Sequence, residues 1–158
     1  MGATHALVGH SERRKIFGES DELLAKKVAF IQSQGLTPVF CIGETLEQRE
    51  AGQTNQVNAA QLEKGLSLLD KSKKIIVAYE PVWAIGTGKV AAPEQVAEAH
   101  AFVRTKLDQM GFPGTPILYG GSVKADNAKA LGAIPNVDGF LVGGASLEVK
   151  SFLGICRA

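Results

Sequence analysis

Five short apolar runs punctuate the chain: His5-Ala6-Leu7-Val8, Pro38 to Ile42, Ile75 to Ala78, Pro116 to Tyr119 and Gly139 to Val142. None alternates with polar residues, so each is predicted to be a strand buried on both faces. The segments between them carry helical patterning. From Ser20 to Gln34 a capping serine precedes Asp21 and Glu22, Leu24, Val28 and Ile31 share one face, and Gly35 supplies the stop. Thr45 opens a short helix with Gln48 placed for a capping box, and a longer helix spans about Gln56 to Leu69. Pro93 suits a first helical position, leading Val96, Phe102, Val103 and Leu107 up to Gly111. Shorter helices are predicted around Ala125 to Leu131 and Ala145 to Leu153.

Strands that alternate with helices form a parallel sheet, because parallel neighbours need crossover connections. Right-handed crossovers leave two α/β architectures, a doubly wound open sheet or part of a βα barrel. The strand ends favour the barrel. Gly9-His10-Ser11, Gly43-Glu44, Glu80-Pro81, Gly120-Gly121-Ser122 and Gly143-Gly144 all fall at the C-terminal edge of the sheet, where such barrels build active sites. No G-x-G-x-x-G fingerprint points to the alternative. A closed eight-unit barrel needs about 250 residues, and this chain has 158. The expectation is a single domain over residues 1–158, a partial (βα)8 barrel of five consecutive βα units.

Composition narrows the function classes. The net charge is +1 and the 17 Lys and Arg are dispersed, so no basic stripe suggests nucleic acid. No apolar run approaches the roughly 20 residues of a membrane span, and no secretory leader is evident. Cys41 and Cys156 are far apart, and Cys41 sits in an apolar run, so it reads as a buried free thiol in a reducing compartment. A cytoplasmic protein is expected.

The richest stretch chemically runs from Ala78 to Lys89. Glu80 stands where an apolar strand ends, a rigid mount for a general base. Behind it, Pro81, Trp83 and Gly86 to Gly88 read as a hinged flap that could shut out water, with Trp83 as its apolar weight. Gly86, Ser122, Gly143 and Gly144 are candidate phosphate contacts, because glycines let backbone N–H groups approach an anion. A single glycine pair usually makes only a tight turn. Two pairs after consecutive strands favour a cradle. His10 ends the first strand at the start of a helical turn, where the positive helix end favours the neutral imidazole, a hydrogen-bond donor to a substrate oxygen. Glu12 is expected to face the site, Arg13 and Arg14 to tie helices together, Glu44 to partner one of those arginines, and Arg104 to pair with Asp138. His5 and His100 read as structural or surface residues.

These blocks resemble the triosephosphate isomerase family. Gly9 to Arg14, Cys41 to Glu44, Tyr79 to Gly88, Tyr119 to Val123 and Gly139 to Leu147 match its motifs in order, over essentially the whole chain. In that family a glutamate base, a neutral histidine and a closing loop are an established example of their kind. The resemblance implies a TIM-barrel isomerase of glycolysis and gluconeogenesis, interconverting dihydroxyacetone phosphate and glyceraldehyde 3-phosphate without cofactor or metal. It implies Glu80 as base, His10 as electrophile, Ser11 as a contact of Glu80 when the flap is open, and Gly86, Ser122, Gly143 and Gly144 as the phosphate cradle. It also implies that the five units correspond to strands four to eight. The family's first three units, with an asparagine and a lysine on the first strand, have no counterpart, so weak activity or none is expected of the chain alone. The alternative is a non-catalytic barrel fragment that self-associates through open sheet edges or needs a complementary N-terminal piece.

Overall fold

A computed structural model describes residues 2–85 and 90–158. The strands are β1 (His5–Val8), β2 (Thr37–Ile42), β3 (Ile76–Tyr79), β4 (Ile117–Tyr119) and β5 (Gly139–Phe140). The helices are α1 (Ser11–Phe17), α2 (Asp21–Ser33), α3 (Leu46–Glu50), α4 (Thr54–Gly65), α5 (Pro93–Gln109), α6 (Ala128–Gly132) and α7 (Val149–Cys156). Two 3-10 turns, Val82–Ala84 and Gly144–Leu147, follow β3 and β5. The strands form one parallel sheet in the order β1-β2-β3-β4-β5.

That order decides between the two architectures. A doubly wound sheet reverses its strand order at a switch point, whereas a barrel adds strands consecutively. The packing agrees. Val8, Phe40, Ile42, Val77 and Ile117 point toward Leu24 and Val28 of α2, Leu62 of α4, and Val103 and Leu107 of α5. Tyr79 and Tyr119 continue this face against Val96 and Ala99 of α5. The intervening residues Val39, Cys41 and Ala78 form a separate small cluster with Ile76, Leu118 and Leu141 on the other face. The helices therefore cover one face, and the other is a barrel interior. Each Val, Leu or Phe fully withdrawn from water here contributes about 1.5–3 kcal/mol.

Local signals explain the helix limits. Ser20 accepts from the Leu23 N–H at the start of α2, and Thr45 and Gln48 make the reciprocal capping box of α3. Pro93 opens α5. The helix predicted to reach Leu69 stops at Gly65, where α4 presses on β2. A Cβ at Gly65 would come within 2.2 Å of the Phe40 ring, and the chain turns directly after it. The last predicted helix divides into the 3-10 turn at Gly144 and α7.

Full burial on both faces holds for β2 and β3 but not for β1 and β5. Among the described residues β1 pairs only with β2, and β5 only with β4. Leu7, on the interior face of β1, is 49% exposed. Edge position, rather than sequence, decides this, since the His5–Val8 run reads like the others. None of the described helices is long and apolar enough to cross a membrane.

Candidate active site

The C-terminal ends of the strands meet at Gly43. Its added Cβ would lie 1.7 Å from the Glu80 carbonyl oxygen, so only glycine lets β2 and β3 leave the sheet this close together. Gln61 of α4 clamps the same residue, its Oε1 accepting from the Gly43 N–H at 2.8 Å and its Nε2 donating to the Gly43 carbonyl at 3.1 Å. Gly120 performs the matching service for the Glu80 side chain, whose Cγ lies 2.9 Å from where a Cβ would stand. Glycines at the ends of β2 and β4, the strands on either side of β3, thus make the space in which one carboxylate sits.

Glu80 is buried, and both of its oxygens are occupied. His10 Nε2 lies 3.2 Å from Oε1, and the Ser11 backbone N–H donates to Oε2 at 3.0 Å. The Cys41 thiol and the Ser11 hydroxyl are also close enough to the carboxylate to pull its carboxyl downward. Burial pushes the Glu80 carboxyl above its ordinary range, and it outweighs the opposing pull of His10, the Ser11 N–H, Cys41 and the Ser11 hydroxyl. Burial, with the Glu80 charge beside it, raises the Cys41 thiol strongly, so this cysteine stays protonated.

His10 is the N-cap of α1. Its Nδ1 accepts from the Glu12 backbone N–H at 3.3 Å. A nitrogen that accepts holds no proton, which puts the ring's N–H on Nε2, facing Glu80. Arg14 fixes the loop that carries His10. Its guanidinium donates to the Gly9 carbonyl at 2.9 Å, the Cys41 carbonyl at 3.1 Å and Asp21 at 2.6 Å, joining the ends of β1 and β2 to the start of α2.

His10 and Glu80 line one wall of a cavity of about 360 Å³. Gly120, Gly121, Ser122, Val123 and Lys124 form a second wall, and Leu141 to Ala145 a third. Ser122, Gly143 and Gly144 are therefore brought to the same cavity as His10 and Glu80. The Ser122 hydroxyl donates to the Ala84 carbonyl at 3.0 Å, tying the cradle to the segment behind Glu80. Gly86 and the rest of the expected flap tip lie outside the described residues. Among the described residues, no group of three or more His, Cys, Asp or Glu side chains is arranged to hold a metal.

A family model described as triosephosphate isomerase matches residues 1–158. The chain belongs to the triosephosphate isomerase family. Curated relatives bearing that name include one from Bdellovibrio bacteriovorus, 62% identical over 152 residues, covering 96% of this chain and 63% of the relative. Another, from Stenotrophomonas maltophilia, is 56% identical over 163 residues, covering all of this chain and 65% of the relative. A third, from Marinobacter nauticus, is 51% identical over 162 residues, covering all of this chain and 64% of the relative. The chain thus spans somewhat under two thirds of the length of these triosephosphate isomerases.

Two charge assignments need correction. Glu44 does not partner Arg13 or Arg14. It is fully buried and accepts from Arg49 at 3.2 Å, the Tyr79 hydroxyl at 3.1 Å and the Trp83 indole N–H at 3.0 Å. Burial first, then the Glu44 charge, raises the Tyr79 phenol strongly. Arg13 pairs instead with Glu19 at 2.6 Å, and Arg14 with Asp21. The reason is geometric: α1 aims both arginines at the start of α2, whereas α3 folds Arg49 back over the end of β2. Glu12 also differs from expectation, since its side chain is exposed and only its backbone N–H serves His10. The expected Arg104–Asp138 pair forms at 2.7 Å. Trp83 is half-buried, its ring 5.0 Å from the Arg49 guanidinium. His100 is buried, its Nδ1 2.9 Å from the Asn136 carbonyl oxygen, and His5 lies beside Thr4.

Sequence reasoning missed Cys41 as a neighbour of the Glu80 carboxylate. The register pairs Cys41 with Ala78, and Glu80 lies two residues further along on the same face. Strand register carried that information, and the sequence does not display it.

Proposed function

We propose that these residues form the proton-transfer site of an isomerase that interconverts dihydroxyacetone phosphate and glyceraldehyde 3-phosphate. In this reading the five βα units correspond to the fourth to eighth of an eight-unit barrel. The observation that carries it is the 3.2 Å approach of His10 Nε2 to Glu80 Oε1 on one wall of a cavity whose other walls hold Ser122, Gly143 and Gly144. Glu80 releases its contacts to His10 and Ser11 and takes a proton from the carbon beside the substrate carbonyl. The C–H electron pair moves into a carbon–carbon double bond, and the carbonyl π pair moves onto oxygen. His10 donates its Nε2 hydrogen bond to that oxygen, stabilising the enediolate. Protonated Glu80, which exchanges its proton with solvent during the lifetime of the enediolate, then delivers a proton to the neighbouring carbon, while the hydroxyl proton passes to the former carbonyl oxygen. The phosphate rests on Ser122, Gly143 and Gly144, with Gly86 as a further contact. No redox or metal step is needed for the atoms to balance.

The raised carboxyl of Glu80 supports this role, since a stronger base sits closer to the working pH. A second reading has support from the edges. Leu7 on β1, Ile16 and Phe17 of α1, Phe30 of α2 on the same groove as Leu7, and Leu147, Val149, Phe152 and Leu153 beyond β5, are all exposed. An open edge that carries apolar residues favours pairing with another chain, either a second copy or a piece supplying further barrel strands.

One experiment serves both readings. The chain is assayed for turnover of dihydroxyacetone phosphate, alone and mixed with the unmatched part of one of the relatives, with sedimentation mass recorded on the same samples. Turnover in the mixture, reduced at least about 100-fold by Glu80→Gln, is expected. A mixture that forms a stable complex yet turns over equally with Glu80→Gln would contradict the catalytic reading. A monomeric chain that binds no partner piece would contradict the second.

A further inference from the structure

Lys124 is the one Lys or Arg among the described residues that line the cavity, and the proposed proton transfer leaves it without a task. Its backbone is pinned from both sides. Its N–H donates to Asn127 Oδ1 at 2.8 Å, and its carbonyl accepts from the N–H groups of Asn127 at 3.2 Å and Ala128 at 2.9 Å. The Asn127 side chain reaches across the same turn, donating from Nδ2 to the Ser122 carbonyl at 3.2 Å. One asparagine thus holds Ser122 and Lys124 in fixed relation, with the buried Val123 as the anchor between them.

We propose that Lys124 is an anion-contacting residue of this site, placing its ammonium beside the phosphate of a small phosphate ester held on Ser122, Gly143 and Gly144. The inference rests on the cavity being the substrate site proposed above and adds a residue to it. The charge balance of the cavity supports the assignment. Among the described lining residues Glu80 is the only carboxylate, and it is engaged with His10 and Ser11, so an arriving phosphate dianion meets Lys124 with no other carboxylate of those residues against it. Lys124 thus stands in the cavity wall on a turn whose backbone Asn127 fixes relative to Ser122. Because the side chain is largely exposed, its contribution is modest and sensitive to salt.

The test measures binding of inorganic phosphate and of glycerol 3-phosphate, a three-carbon ester that cannot be isomerised. It uses the chain, together with its partner piece where one is needed, at low and high ionic strength. Lys124→Met is expected to weaken both ligands by about three- to fivefold at low salt, the upper end of what an exposed ion pair gives. Lys124→Arg should stay within about twofold of wild type, and the Lys124→Met deficit should disappear in molar salt, where the Debye length is about 3 Å. Lys129→Met, an exposed lysine of α6 outside the cavity, controls for the loss of one unit of charge. Binding that is intact and salt-dependent but equal in Lys124→Met and Lys129→Met overturns the inference while leaving the proposed site standing. Failure of the wild type to bind either ligand overturns both.

Discussion

Glu80→Asp is expected to lower turnover by about 100-fold while leaving affinity for glycerol 3-phosphate within about twofold. The shortened side chain withdraws the carboxylate by one methylene from a position defined by His10 Nε2 at 3.2 Å and the Ser11 N–H at 3.0 Å. The surroundings cannot follow it. Gly43 packs against the Glu80 backbone, and Gly120 leaves room for Cγ only at its present position, where an added Cβ would come within 2.9 Å. A displacement on the order of 1 Å between a base and its carbon is enough for a loss of that size. Phosphate affinity should be spared because Ser122, Gly143 and Gly144 stand on other strand ends. Parallel steady-state kinetics and calorimetric titration separate the two effects. Equal loss of turnover and of binding would mean that Glu80 organises the cavity rather than acting as its base.

Glu44→Ala carries the largest expected cost in stability, about 3–5 kcal/mol, the range for removing one partner of a buried ion pair. Four donor contacts converge on this carboxylate from three residues: Arg49, Trp83, and Tyr79 to both oxygens. Without it the Tyr79 hydroxyl is left buried without an acceptor, and the Arg49 guanidinium keeps only the Trp83 face and the fraction of its side chain that reaches solvent. Against a typical domain stability of about 5–15 kcal/mol, a loss of this size is large. Glu44→Gln, which keeps an acceptor for Tyr79 and Trp83, should lose less than half as much. Urea unfolding of the three proteins checks the order. Glu44→Ala within about 0.5 kcal/mol of wild type would show that the network is ornamental.

Much of the fold was readable because short apolar runs and capping residues act locally. The His5–Val8 strand, the Ser20 and Thr45 caps and the Pro93 helix start all depend on residues within one turn of each other. The predicted long helix after Gln56 overran because its true limit is set by contact between Gly65 and Phe40, twenty-five positions apart. The strand-end placement of His10, Glu80, Ser122, Gly143 and Gly144 was legible from the alternation of strands and helices, which sends every strand's C-terminus to one edge. Pairings across that edge were not. Glu44 has arginines at positions 13, 14 and 49 to choose from, and only the fold of α3 selects Arg49. Cys41 looked like inert core until strand register set it against Glu80. Lys124 sat among exposed polar residues with nothing in the sequence to single it out. Its place became visible once Asn127 was seen to fix the turn.

The central claim is that Glu80 moves a proton on a small phosphate ester whose carbonyl His10 polarises. Solvent isotope transfer measures this most directly. When dihydroxyacetone phosphate is turned over in D2O by the competent protein and the aldehyde product is trapped as it forms, the account predicts deuterium at C2 of glyceraldehyde 3-phosphate. A carboxylic acid opening to solvent exchanges its proton before returning it. Product that carries only substrate hydrogen at C2 and forms at the same rate with Glu80→Gln would point to hydride migration and contradict the account.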